Sequence, residues 1–283
     1  MYLKILIFLF LLLYQNVTFS KVNETNDFNQ KYLSNYFSAL VSFDNQKNDD
    51  AIKFFNSSKF LIKKHENFLR NYVFSLILDG QVKKAINQIK YSKEANFFEA
   101  NLLLILDSLS KKKYKKTENI IKKLLSLEDN RSYEFVILKT LESYNHSFLF
   151  KKIGKKDGSL GRIELITQAF QNCYLDSNKT NSHFLNIINL QENDYSRYLF
   201  FYLANIINNN DYETANKISK TIEPLTSGLL IAQVNKWIEN NEYNKFNDHF
   251  SCKNENDLLA EFFFLISNLY SSQDQFVESN FYL

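Results

Sequence analysis

Ala51-Ile52-Lys53-Phe54-Phe55-Asn56-Ser57-Ser58 and Ala85-Ile86-Asn87-Gln88-Ile89-Lys90-Tyr91-Ser92 lie 34 residues apart and share a pattern. In each, a small residue is followed four places on by a large apolar one (Phe55, Ile89) and seven places on by a serine (Ser58, Ser92). The four-residue step keeps the pair on one helical face, so both stretches read as helices that bury the alanine. A recurrence of this length in a helical sequence is the mark of stacked helix-turn-helix units, none of which can bury its apolar face alone.

Outward from these stretches the same unit recurs. The first helix of the first unit runs from about Tyr32 to Phe43, and the polar break Asn45 to Asp49 leads into the helix of Ala51. The second unit places Leu69, Tyr72, Val73 and Leu76 before the turn Asp79-Gly80-Gln81, where Gly80 supplies a left-handed cap. The third has Leu104 and Ile105, then Thr117 at the alanine place. Regular units return with Leu199 to Ile206 and Ala215, with Leu230, Val234, Trp237 and Phe246, and with Phe263 to Tyr270 and Ser279. Trp237 is expected to pack between helices. Between 128 and 195 the pattern blurs: apolar helices at Tyr133 to Tyr144 and Ile163 to Tyr174 flank a stretch with three of the five glycines, and an irregular joint is expected.

The resulting division is 1–20 signal peptide, 21–31 polar linker, 32–127 N-terminal repeats, 128–195 irregular helical joint and 196–283 C-terminal repeats. After Ser279 the last helix has room for about one turn and no capping helix, so the array is expected to be truncated. Within the signal, Lys4 precedes an apolar run from Ile5 to Tyr14, too short to span a bilayer comfortably, and Thr18 and Ser20 suit cleavage after Ser20. The alternative is an uncleaved anchor lengthened by Val17 and Phe19.

With 45% hydrophobic and 16% aromatic residues the 283-residue chain can bury a continuous core, and one proline with five glycines favours helices over a turn-rich β fold. A net charge of +3 from 34 basic and 31 acidic residues is too small and too dispersed to argue for nucleic acid or anionic membrane as the main partner, and no nucleic acid is expected. Cys173 and Cys252 are expected to be unpaired thiols, with one long-range disulfide as the alternative. The four histidines, His65, His146, His183 and His249, lack metal-ligand spacing, so no metal or other cofactor is expected. The glycine-bearing Gly154 to Gly161 stretch lacks GK[ST] and reads as a connector, and Lys111 to Lys116 as a solvated turn. With no GxSxG elbow, no catalytic residue is assigned. Asn-x-Ser/Thr triplets such as Asn56-Ser57-Ser58 and Asn178-Lys179-Thr180 are ascribed to chance in an Asn-rich chain, which itself suits a low-GC bacterial genome.

The pattern resembles the tetratricopeptide repeat family. Phe263, Ile266, Ser267, Tyr270, Phe276, Ser279 and Leu283 carry the resemblance in the last unit; Ala39, Ala51, Phe55 and Ser58 carry it in the first, and Leu69, Tyr72, Gly80, Val82, Ala85 and Ile89 in the second. Val73, Ile105, Leu203 and Val234 depart from it by placing larger residues where the family favours small ones, and the repeat-ending proline is missing. The resemblance implies an all-α, right-handed α-solenoid whose first helices line a groove for a protein or peptide. By helical spacing the groove residues would be Leu33, Tyr36, Leu40 and Phe43 in the first unit, and Asn67, Arg70, Phe74 and Ile77 in the second.

The expected function is therefore an exported, non-catalytic scaffold in a bacterial periplasm or envelope. It would bind a protein partner rather than nucleic acid or a small-molecule substrate, and would touch a membrane only if the N-terminal segment stays uncleaved. The alternatives are the helical accessory region of a larger enzyme and a structural envelope component.

Overall fold

The computed structural model describes residues 29–65, 67–93, 95–154, 158–190, 196–221 and 229–283. The signal segment 1–20 and nearly all of the linker lie outside the described residues. The described chain is all-helical and falls into two compact units, 1–75 and 76–283.

In the first unit, α1 (Gln30–Asp44) opens with Asn29, whose side chain accepts from the Lys31 N–H, and α2 (Asn48–Ser57) packs against it through Ala39, Ala51 and Phe55, all fully buried. Phe68 on α3 (Phe68–Leu78) closes this core: its ring meets Tyr36 and Phe55, each with centroids 5.2 Å away. The Tyr72 hydroxyl donates to Asn56 Oδ1 at 2.8 Å. The boundary between the units falls within α3.

The second unit continues with α4 (Val82–Tyr91), α5 (Phe98–Ser110), α6 (Tyr114–Leu125), α7 (Tyr133–Phe150), α8 (Gly161–Tyr174) and α9 (Thr180–Ile188). After these come α10 (Ser196–Asn208), α11 (Tyr212–Thr221), α12 (Leu229–Glu239), α13 (Asn244–His249), α14 (Glu255–Ser271) and α15 (Phe276–Phe281).

A single backbone device organises both units. Gln46, Gly80, Lys112, Asp176, Asn210, Asn241 and Asp274 all have φ between 51° and 75° and sit between paired helices. At each, the left-handed residue's N–H donates to the carbonyl three back, and the next N–H donates to the carbonyl five back from itself: Gly80 to Ile77 and Gln81 to Leu76, or Asn210 to Ile207 and Asp211 to Ile206. This double bond satisfies carbonyls that a helix end leaves free. The turns are spaced 34, 32, 64, 34, 31 and 33 residues apart.

Burial is locked to these turns. Seven residues before them stand Ala39, Val73, Ile105, Ala169, Leu203, Val234 and Ser267, all essentially inaccessible. Five residues after six of the seven turns stand Ala51, Ala85, Thr117, Ala215, Phe246 and Ser279, also buried, whereas Asn181, at the same place after the Asp176 turn, is exposed. In the last pair the two positions touch, with Ser267 Oγ and Ser279 Oγ 2.9 Å apart.

The interval of 64 marks a skipped turn. In the stretch expected to be an irregular helical joint, helices stand where apolar helices were expected, but α7 is 18 residues long and runs through the position near 144 where a turn is due. Ile137, Leu138, Leu141, Tyr144 and Phe148 give it an unbroken apolar face, and Tyr144 packs on Phe148 and Phe262, which holds that position helical. Among the described residues, the non-helical backbone of this stretch lies at 128–132, 151–154, 175–179 and 189–190.

Cys173 and Cys252, expected to be unpaired, form a disulfide with Cα atoms 5.7 Å apart. The bond joins the end of α8 to the connector before α14 across 79 residues, a separation at which sequence spacing carries no signal. No helix among the described residues is long and apolar enough to cross a membrane.

Candidate functional site

In the second unit, α10, α12 and α14 are the first helices of three successive turn-linked pairs. With the end of α13 they enclose a pocket of about 580 Å3. Its wall is aromatic: Phe200 and Phe201 from α10, Trp237 from α12, Phe250 beyond α13 and Phe264 from α14. These rings brace one another, with Phe201 edge-on to Phe250 at 4.5 Å and Trp237 stacked on His249 at 4.9 Å.

An ion pair interrupts this apolar wall. Arg197 Nε donates to Glu261 Oε1 at 2.9 Å and Nη2 to Oε2 at 2.6 Å. The guanidinium lies 4.2 Å from the Phe264 ring centroid, within cation–π range. The Glu261 side chain is 4% exposed and that of Arg197 40%. Burial pushes the Glu261 carboxyl above the ordinary carboxylate value and Arg197 offsets part of that rise; burial would lower the Arg197 pKa, but the glutamate more than compensates. Asp257, also on the wall, accepts from the Ser251 N–H at 2.9 Å and from Asn254 Nδ2 at 2.8 Å. Both carboxylates are thus held by protein donors, and what the pocket offers a visitor is apolar area with part of a guanidinium at its edge.

The residues expected to line a groove differ among themselves in exposure. Tyr36 and Phe74 are 6% and 1% exposed, and their rings are taken up in packing against Phe68 and beneath the Arg70 guanidinium. Leu33, Leu40, Phe43, Arg70 and Ile77 are half-buried and Asn67 is exposed. Three of the histidines stack on rings instead of facing one another: His65 on Tyr36, His146 beside Phe150 and His249 on Trp237. In the lysine run, Lys111 pairs with Asp107, and Tyr114 turns inward to donate to Glu255 Oε2 at 2.6 Å. Gly154 abuts the Ser143 side chain so closely that a Cβ would collide with it.

The pocket-lining ion pair that the sequence did not bring together is Arg197 and Glu261. A signal for the second was present: in Leu258-Leu259-Ala260-Glu261-Phe262-Phe263-Phe264 a lone acid stands inside an apolar run, where a charge must find a partner or stay costly. Its partner lies 64 residues upstream, and nothing in the sequence couples the two. No protein-family model, curated protein or solved structure matches this chain.

Proposed function

We propose that the chain is an exported, non-catalytic scaffold whose turn-linked helices stack as a tetratricopeptide-like solenoid and hold a protein partner. The observation that carries this reading is the aromatic pocket bounded by the first helices of three successive pairs, the place where a solenoid of this kind presents its binding face. Apolar pockets with a few convergent polar groups are the usual sites of recognition. The Cys173–Cys252 disulfide supports the exported part of the reading, because such bonds persist in oxidising compartments such as a bacterial periplasm.

The test places a photo-crosslinking amino acid at Gln233, an exposed residue of the pocket edge, and in a parallel sample at Lys123, exposed on α6. In cells, a discrete protein adduct is expected from position 233 and none from 123. Equal labelling at both positions, or none at either, overturns the proposal.

A further inference from the structure

The wall of the aromatic pocket has an asymmetry that specifies its visitor. An arginine carries five N–H donors. Glu261 takes one from Nε and one from Nη2, which leaves three with no protein acceptor among the described residues, on a side chain 40% exposed. The acceptors opposite are already engaged, Glu261 by Arg197 and Asp257 by Ser251 and Asn254. The three remaining donors are thus open to solvent and to an acceptor from outside the chain.

Charge narrows what that acceptor can be. Arg197, Asp257 and Glu261 carry one positive and two negative charges, so a free carboxylate would meet net repulsion, while an ammonium would face the donors of Arg197. A neutral carbonyl suits both constraints. The aromatic wall asks in addition for a large apolar group, and about 580 Å3 accommodates one with its flanking backbone.

Resting on the scaffold reading above, we propose that the pocket receives a large apolar side chain from a partner peptide segment, and that the free edge of Arg197 donates to the backbone carbonyl beside that side chain. Glu261 is a positioning residue in this arrangement: its two-point clamp fixes the guanidinium plane over Phe264 and turns the free donors away from itself. A peptide supplies a carbonyl next to every side chain, whereas a fatty acid offers only a charged head.

The chain's one tryptophan is Trp237, on the pocket wall, so its fluorescence reports occupancy directly. Three soluble probes share a benzyl group: N-acetyl-phenylalaninamide is neutral with carbonyl acceptors, N-acetyl-phenylalanine adds a carboxylate, and phenethylamine is cationic. A fourth, ethylbenzene, has no acceptor. With the disulfide-intact protein, the neutral amide is expected to shift Trp237 emission saturably and to bind tightest of the four. Arg197→Lys, which keeps the charge but loses the planar donor edge, should weaken the amide about tenfold, the worth of one charge-assisted hydrogen bond, and leave ethylbenzene unchanged. Ala260→Phe, at an exposed pocket-lining position, should block all four and keeps the proposal testable if the arginine variant folds poorly.

Tightest binding by phenethylamine, equal weakening of amide and ethylbenzene in the lysine variant, or amide binding that survives Ala260→Phe would overturn the assignment. The two proposals fail separately. Amide binding without an adduct at position 233 sinks the scaffold reading alone, and an adduct without any probe response sinks this one alone.

Discussion

Between 196 and 283 a left-handed turn falls at Asn210, Asn241 and Asp274, and small or closely fitted residues fill the same two places around each turn. Between 133 and 174 that turn is missing where it is due, and residues remote in sequence hold the chain instead. Glu255 accepts from Tyr114 at 2.6 Å and from Tyr174 at 2.8 Å; Lys253 Nζ donates to the carbonyl of Tyr174 at 2.9 Å and of Cys173 at 3.2 Å; Cys252 is bonded to Cys173. Residues 252–255 thus tie the start of α6 and the end of α8 to the start of α14. The same region keeps Asn145 Oδ1, Ser147 Oγ, Gln171 Oε1 and Asn172 Oδ1 buried without a partner among the described residues, and a buried polar atom left so costs about 1–3 kcal/mol. Repetition stabilises through many equal small burials. Where it lapses, stability depends on a few bonds that cannot be exchanged for others.

Removing the covalent bond should therefore have the largest effect. Replacing Cys173 and Cys252 together by alanine frees a loop of 79 residues, for which loop entropy predicts a loss of about 4 kcal/mol. Chemical denaturation of the variant beside the oxidised parent measures it. A loss under about 1 kcal/mol would mean that the non-covalent ties of 253–255 hold the region alone.

Next in size is Arg197→Met, which strands the buried Glu261 carboxylate and should cost roughly 3 kcal/mol near pH 8. The pH dependence has a definite sign. Glu261 already titrates above its ordinary value because of burial, so the folded state holds its proton more tightly than the unfolded chain does. Its contribution to stability is full at pH below the unfolded value and is lost as pH rises through the folded one. Without Arg197 the folded value climbs further, so the penalty should shrink on acidification to pH 5. A pH-independent penalty would assign the loss to packing of the arginine stem over Phe264.

Within the regular pairs the expected effect is smaller. Ala215 is fully buried five residues after its turn, and Ala215→Leu should cost roughly 2 kcal/mol by overpacking, while Lys217→Leu on the exposed face of the same helix should stay within about 0.5 kcal/mol. Similar losses in both variants would show that α11 is not held through the alanine face.

These differences explain what the sequence disclosed and what it hid. The period was visible because Ala51, Ala85 and Ala215 are small for a steric reason, and Gly80 because φ +74° suits glycine best. At the other six turns Gln, Lys, Asp and Asn occupy the left-handed position; several read as polar breaks in the sequence, but these residues are common in this chain and only backbone dihedrals reveal that all six serve alike. Val73, Ile105, Leu203 and Val234 looked like departures from the repeat; their complete burial at one fixed place before the turn shows that this position tolerates size. The ties around Glu255 and the Arg197–Glu261 pair join residues 64 to 141 apart, beyond the reach of any periodic reading. Of the pocket, the sequence offered Leu230 and Trp237 as packing residues, His249 as a lone histidine and the isolated Glu261, without bringing them together.

The smallest effects test whether the turn itself sets the period. At Gly80 a Cβ would meet no heavy atom within 4 Å, so Gly80→Ala isolates the backbone cost of a positive φ, about 1 kcal/mol. Lys112 has φ 55° and bears that cost already; Lys112→Gly should relieve it, less what glycine adds to the freedom of the unfolded chain, for a net gain near 0.5 kcal/mol. Opposite signs at 80 and 112, measured by denaturation under one set of conditions, are what a shared turn requires. Equal signs would mean that the two positions only look alike, and that the spacing is imposed by the buried residues on either side and the turns merely follow.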